Sequence, residues 1–308
     1  MKNIFVLMLL VLLSAKGLCE EKLYTAISSG NMKVLEEMVA ADPEIVNKEI
    51  EFWGFPLNVA TAAGKVDVIK FLLSKGAKKT NVDKKSNNDA LHELANNSKL
   101  MTQAKLDLFK KCVEVFKENN FDFNGKNKSG ETPILLASYV TPGKTALPFS
   151  IEFVKCLLEN GATFEKNDGL LSWIFSFQHP FIRGSKIAKP PTEDDYSPLE
   201  FAKTLISLGA DVNSTDKETK VTPLITLLEN KAGITDEHKE DMVKTLVEYG
   251  ANINAKSKDG RKPITMVTDK KSKLYEILKK TKPVNKQAKP TAQPPAGKPA
   301  AKPDNKKP

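Results

Sequence analysis

Three histidines, three cysteines and two tryptophans in 308 residues leave little from which to build a metal site or a nucleophilic centre. No Cys or His pair stands at metal-ligand spacing, and neither a Gly-rich phosphate loop nor a nucleophile motif occurs. No catalytic residue, metal or cofactor is therefore assigned, and the expectation is a protein that is not an enzyme. Three cysteines cannot make a disulfide framework. No apolar run approaches the ~20 residues that a spanning helix needs. The apolar run Ile4–Leu13 follows Lys2 and precedes small residues, so residues 1–19 read as an export signal. Cys19 raises the idea of a lipid anchor. Lys16 and Leu18 fit a lipoprotein signal badly, and periplasmic or secreted export is the expectation.

The chain carries 47 Lys and Arg against 38 Asp and Glu, a formal charge of +9. Two of these charges lie in residues 1–19 and a net five in residues 283–308, so residues 20–282 keep only +2. A nearly neutral body speaks against a nucleic-acid partner. The segment 283–308 holds seven Pro and six Lys. It cannot bury a core and is expected to stay extended and disordered. It is either a solubilising tail or a cationic arm with a weak contact to anionic envelope polymer or lipid head groups.

What the chain does have is internal repetition. In Phe55–Ala77, FPLNVATAAGKVDVIKFLLSKGA, a Pro-Leu start leads into an Ala-rich segment that breaks at Gly64. A second apolar segment, Val68, Ile69, Leu72 and Leu73, then ends at Gly76. Such a helix–turn–helix cannot bury its apolar face without neighbours. The stop recurs at Asn120, Gly161, Gly209 and Gly250, each with apolar residues one and two turns earlier. Gly209-Ala-Asp-Val-Asn213 and Gly250-Ala-Asn-Ile-Asn254 follow two of the stops, with weaker copies at Asn120–Asn124 and Gly161–Glu165. Helix starts recur at Pro133, Pro223 and Pro263, and Asp89–Ala95 reads DALHELA.

These residues resemble the ankyrin repeat, a TPLHxA helix, a second helix, then GADVN and a β-turn. The resemblance covers residues 20–282. It implies an all-α solenoid of six to seven repeats with β-turn fingers, long inter-helix loops and polar terminal caps. Repeats one to seven are placed at Glu20–Asn47, Phe55–Ala77, Asp89–Asn124, Thr132–Glu165, Leu170–Leu208, Thr222–Asn254 and Lys262–Lys282. In this family partners bind the concave face built by fingers and first helices, so the resemblance implies a binding module whose partner is another protein. A monomer is expected. His92 falls where the family uses a histidine for structural hydrogen bonds. Cys112 and Cys156 fall on second-helix core positions of adjacent repeats; two buried thiols are expected, with a strained bridge as the alternative.

The candidate partner-binding residues are those of the fingers. Phe52, Trp53 and Phe55 precede repeat two, and an aromatic cluster on a turn suits a binding hot spot. The structural alternative is that Phe52 and Phe55 seal the first repeat junction while Trp53 is half-exposed. The later fingers present Lys84, Lys85, Lys126, Lys128, Lys217, Lys220, Lys256, Lys258 and Arg261, which favour an acidic or mixed partner surface. Repeats three to six are longer than repeat two. The extra residues, Asn96–Lys105, Tyr139–Ser150, Gln178–Tyr196 and Lys231–Glu240, are expected as loops stacked along one edge. They read either as a functional rim or as neutral length drift. A secreted effector acting on a host protein, and an envelope protein held by its cationic tail, are the alternative functions.

Overall fold

The computed structural model describes residues 17–96, 103–139, 146–166, 168–176, 198–215, 219–229 and 236–282. Residues 1–16 and 283–308 lie outside it, as does most of the expected loop rim. Helix α1 covers residues 17–29 and so crosses the expected signal boundary. It pairs with α2 (Met32–Ala41), which Asp42-Pro43 ends ahead of a 3₁₀ turn at Pro43–Asn47. Then follow α3 (Pro56–Ala62) and α4 (Val66–Ser74), α5 (Ala90–Asn96) and α6 (Gln103–Glu118), α7 (Pro133–Ser138) and α8 (Ala146–Glu159), and α9 (Leu170–Ser176) and α10 (Pro198–Ser207). The chain closes with α11 (Pro223–Glu229) and α12 (Asp236–Glu248), and with α13 (Pro263–Met266) and α14 (Lys273–Lys280). These are the seven helix pairs expected from the sequence, and no strand occurs among the described residues.

Local chemistry sets both ends of these pairs. Pro56, Pro133 and Pro263 occupy the first helical turn, where no N–H is needed, and the residue before each is extended. Five of the seven second helices, α4, α6, α8, α10 and α12, end alike. Ala77 N donates to Leu72 O at 2.9 Å and Gly76 N to Leu73 O at 3.1 Å, the paired bonds of a Schellman motif. The same two bonds recur at Asn120-Phe121, Gly161-Ala162, Gly209-Ala210 and Gly250-Ala251. This motif needs a left-handed residue, and φ is positive at all five stops, with Asn120 at 54° standing in for glycine. The residue after each stop is buried against its helix. In repeat three it is Phe121, whose ring lies 4.3 Å from that of Phe116.

First helices pack on first helices and second helices on second helices, giving two layers around one continuous core. Phe116, Phe153, Phe175 and Phe201 are its largest fully buried side chains. Tyr139 and Trp173 pack in a tilted arrangement with ring centroids 4.7 Å apart and join repeats four and five. Adjacent repeats are also clamped by asparagine. Asn47 Nδ2 donates to Gly76 O at 3.0 Å while its Oδ1 accepts Lys78 N at 2.8 Å. Asn124 does the same to Gly161 O and Thr163 N, and Asn213 to Gly250 O and Asn252 N. Between repeats two and three the clamp is replaced by Lys79, whose Nζ donates to the carbonyls of Asn119 and Asn120 at 2.7 and 3.1 Å.

The extra length of the later repeats is not all loop. Helix α4 has 9 residues, whereas α6, α8 and α12 have 16, 14 and 13. The added turns lie at their N-termini and consume part of the expected loops at Asn96–Lys105, Tyr139–Ser150 and Lys231–Glu240. Residues 97–102, 140–145, 177–197 and 230–235 are outside the described residues. The added turns of α6 are packed, because Leu106 and Phe109 are buried. Asp236 and Glu237, expected in a loop, instead open α12, where carboxylates suit the positive end of a helix. Cys112 and Cys156 are both free and buried.

Candidate functional site

The fingers are built from tight turns whose side chains satisfy their own backbone. In the first, Ile50 and Gly54 form an antiparallel bridge, and Trp53 N donates to Ile50 O at 3.0 Å. In the second, the Asp83 carboxylate accepts the N–H groups of Lys85 and Ser86 and the Ser86 hydroxyl. These bonds, with Ser86 first, hold its pKa below the usual carboxylate range. In the third, Asn127 Oδ1 accepts Ser129 N at 3.0 Å and Glu131 N at 2.9 Å. Gly130, at φ 72°, closes that turn.

The turns are also joined to one another. Lys84 pairs with Glu49 of the first finger. Lys128 N donates to Ser86 O at 2.8 Å, and Asn127 Nδ2 donates to Asn88 Oδ1 at 3.0 Å. Lys126 pairs with Glu165 at 2.8 Å. Below them His92 Nδ1 meets Asp89 Oδ1 at 2.7 Å and His92 Nε2 meets Glu131 O at 3.1 Å. His92 is thus the structural link that the resemblance implied. Burial by itself would lower its pKa, but the Asp89 carboxylate prevails and raises it. Glu93 accepts Asn88 Nδ2 at 3.1 Å, and burial raises its pKa.

The aromatic cluster divides differently from either sequence reading. Phe52 does not seal the first junction; it is 94% exposed. Trp53 is 53% exposed and stacks on Tyr24 of α1, with ring centroids 3.9 Å apart. Phe55 is half-buried and precedes Pro56 as the N-cap of α3. Exposure of Phe52 has a backbone cause, since its φ of 68° turns the side chain out at the turn.

Of the lysine tips, Lys85, Lys128, Lys220, Lys256 and Lys258 are exposed. Lys84 and Lys126 are engaged by carboxylates of neighbouring fingers, and Arg261 pairs with Asp259 within its own turn. Lys217 lies outside the described residues. The structure thus joins Phe52, Trp53, Lys84, Lys85, Lys126 and Lys128 into one row over fingers one to three. Lys256, Lys258 and Arg261 sit on the last finger.

A cleft of about 690 Å³ was not foreseen from sequence. It lies beside short α4, between the turn at Gly30 and the face of long α6 carrying Leu108, Lys111 and Val115. Its lining charges balance, with Lys65, Lys70 and Lys111 against Asp67, Glu114 and Glu118. No cluster of His, Cys, Asp or Glu suited to a metal occurs among the described residues. His179 lies outside them, and the segment around His238 forms the start of α12.

The architecture is the ankyrin-repeat fold. The chain is similar to the ankyrin repeat domain of Bcl-3, titled a unique member of the IkappaB protein family, with a TM-score of 0.58 and 18% identity over 84% of this chain and 97% of that one. It is also similar to the human ASB11 ankyrin repeat domain, with a TM-score of 0.53 and 19% identity over 83% of this chain and 95% of that one. No protein-family model matches the chain, and no curated protein does.

Proposed function

We propose that the protein is a non-enzymatic interaction module that binds another protein outside the cytoplasm through its fingers and concave face. One observation carries this reading: fingers one to three are locked into a single row by backbone and side-chain bonds, of which Lys128 N to Ser86 O at 2.8 Å is the most direct. The row presents exposed aromatic and cationic side chains on a scaffold that has little freedom left to lose. Binding to a surface already ordered avoids much of the entropic cost of association. Among the described histidines and cysteines, His92, Cys112 and Cys156 are engaged in structure. His92 is held at both ring nitrogens. Burial pushes the Cys112 thiol up to about 12 and the Cys156 thiol up to about 11, where thiols are inert.

The export part of the reading rests on residues 1–19, and cell fractionation of the full chain checks it. The binding part is checked by co-precipitation with the chain from residue 20 onward, in parallel with Trp53→Ala and with Lys126→Glu/Lys128→Glu. Loss of the partner in both variants is the expected result. Undiminished recovery in both sinks the finger-row reading. Deleting residues 283–308 separates a binding module from an envelope protein held by its tail. Partner recovery should survive the deletion.

A further inference from the structure

We propose that Phe52 is a dedicated anchor, a knob that enters an apolar socket bordered by carboxylates on the partner protein. This rests on the reading of the finger row as a protein-binding surface. In the turn Ile50–Trp53, closed by Trp53 N to Ile50 O at 3.0 Å, Phe52 is the third residue and has φ 68°. That position of a turn wants glycine or asparagine, because a Cβ crowds the backbone at positive φ. Three other fingers place asparagine or glycine at their left-handed positions, with Asn87 at 54°, Gly130 at 72° and Gly260 at 81°, and Lys220 at 58° is the one further exception among the described fingers. Phenylalanine therefore works against the turn. Packing does not explain it either, since the side chain is 94% exposed. A bulky residue that is strained in the backbone and buries nothing has no role in folding, and such outliers point to function.

The surroundings anchor the backbone of the finger that carries Phe52. Trp53 is stacked on Tyr24 at 3.9 Å with an interplanar angle of 26°. Glu51 N donates to Glu20 Oε2 at 2.9 Å, which ties the finger to α1. An aromatic on an anchored turn, beside a half-exposed tryptophan, is the make-up of an interface hot spot. The charge around it then selects the partner. Glu49 takes up Lys84 and Glu165 takes up Lys126, while Lys85 and Lys128 face solvent on the next two tips. Carboxylates bordering the socket meet these two lysines. A lipid surface suits the site less well, because Glu51 is exposed beside Phe52 and would face anionic head groups.

The test uses the chain from residue 20 to 308 as wild type, Phe52→Asn and Lys85→Glu/Lys128→Glu. Random dodecapeptides displayed on phage are panned on the wild type, and recovered peptides are synthesised and titrated against all three proteins. The expected peptides carry apolar residues beside Asp or Glu. Their affinity falls about tenfold or more in Phe52→Asn and several-fold in the double lysine variant. The thermal midpoint of Phe52→Asn is expected to hold or to rise by about 2 °C, since asparagine tolerates the left-handed turn. The anchor is overturned if no peptide is recovered, if the peptides are basic, or if they bind Phe52→Asn as well as wild type. A lower midpoint in Phe52→Asn also overturns it by showing a structural role. Phe52-dependent attachment to equimolar phosphatidylcholine–phosphatidylglycerol vesicles would assign the knob to membranes instead. If Phe52→Asn keeps the co-precipitated partner while Lys126→Glu/Lys128→Glu loses it, the finger row stands and the anchor alone fails.

Discussion

Asn213 holds two ends of the next repeat at once: its Nδ2 donates to the carbonyl of Gly250 at 3.0 Å and its Oδ1 accepts the N–H of Asn252 at 2.7 Å. Both partners are backbone groups just past a helix end, where hydrogen bonds are otherwise left unmade. Asn124 and Asn47 make the same pair of bonds to their own next repeats.

Replacing such a clamp should cost stability locally. Asn124→Ala is expected to lower unfolding free energy by about 0.5–1.5 kcal/mol, the net range for an intramolecular hydrogen bond whose freed backbone partners water can reach. Urea unfolding followed by far-UV circular dichroism reads the loss. Amide exchange should rise around Gly161–Thr163 and stay unchanged in repeat one. An effect spread evenly over the chain would count against a local clamp.

Gly64 has φ 63°, and a Cβ placed there would run into Leu108 Cδ2 of the overhanging α6. Gly64→Ala is therefore expected to destabilise by about 1–2 kcal/mol from the backbone alone. A further steric part can be relieved by moving Leu108. In a double-mutant cycle Leu108→Ala should recover the steric part and leave the backbone part. Strict additivity of the two substitutions would show that α6 does not lie over this turn.

Glu93 and His92 give the finger base a pH dependence of one sign. Both have folded pKa values raised above their unfolded values. Their contributions are complete below the unfolded values, about 4.3 for Glu and 6.5 for His, and are lost as pH rises through the folded ones. Glu93→Gln should accordingly be more stable than wild type at neutral pH, with the gap closing under acid conditions. Asp89→Asn should bring the His92 midpoint down in an NMR titration. A gap that widens toward low pH would contradict this assignment.

Alkylation should distinguish the thiols. Cys112 and Cys156 are buried with raised pKa values, so neither should react with iodoacetamide in the folded protein at neutral pH. Cys19 is exposed and should react if the chain retains it. Unfolding in denaturant should release two further equivalents, counted by mass spectrometry. Labelling of Cys112 before unfolding would exclude its place in the core.

The helix stops were legible because their chemistry is local. A left-handed residue after a helix admits glycine and, at Asn120, asparagine, and both could be read from the letters. Pro56, Pro133 and Pro263 marked starts for the same kind of reason. Where the later second helices begin was not legible. The run Asp236–Asp241 looks like a solvated loop in isolation, yet it forms the first turns of α12. Nor could the letters choose between an outward and an inward Phe52, since that depends on one backbone angle. Pairs such as Lys84–Glu49 and Lys126–Glu165 depend on how successive fingers align across the stack. These lysines could be named as candidates but not separated from Lys85 and Lys128.

The asparagine clamps reach across different lengths of chain. Asn47 lies 29 residues from Gly76, whereas Asn124 and Asn213 each lie 37 residues from their glycines, yet all three bonds are 2.9–3.0 Å. The seam therefore reckons in structural units and is blind to residue count. Insertions between the helices of a unit leave its phase with the neighbours intact. Sequence length in this molecule is free to change along one edge while the opposite edge, with its fingers, keeps a fixed spacing.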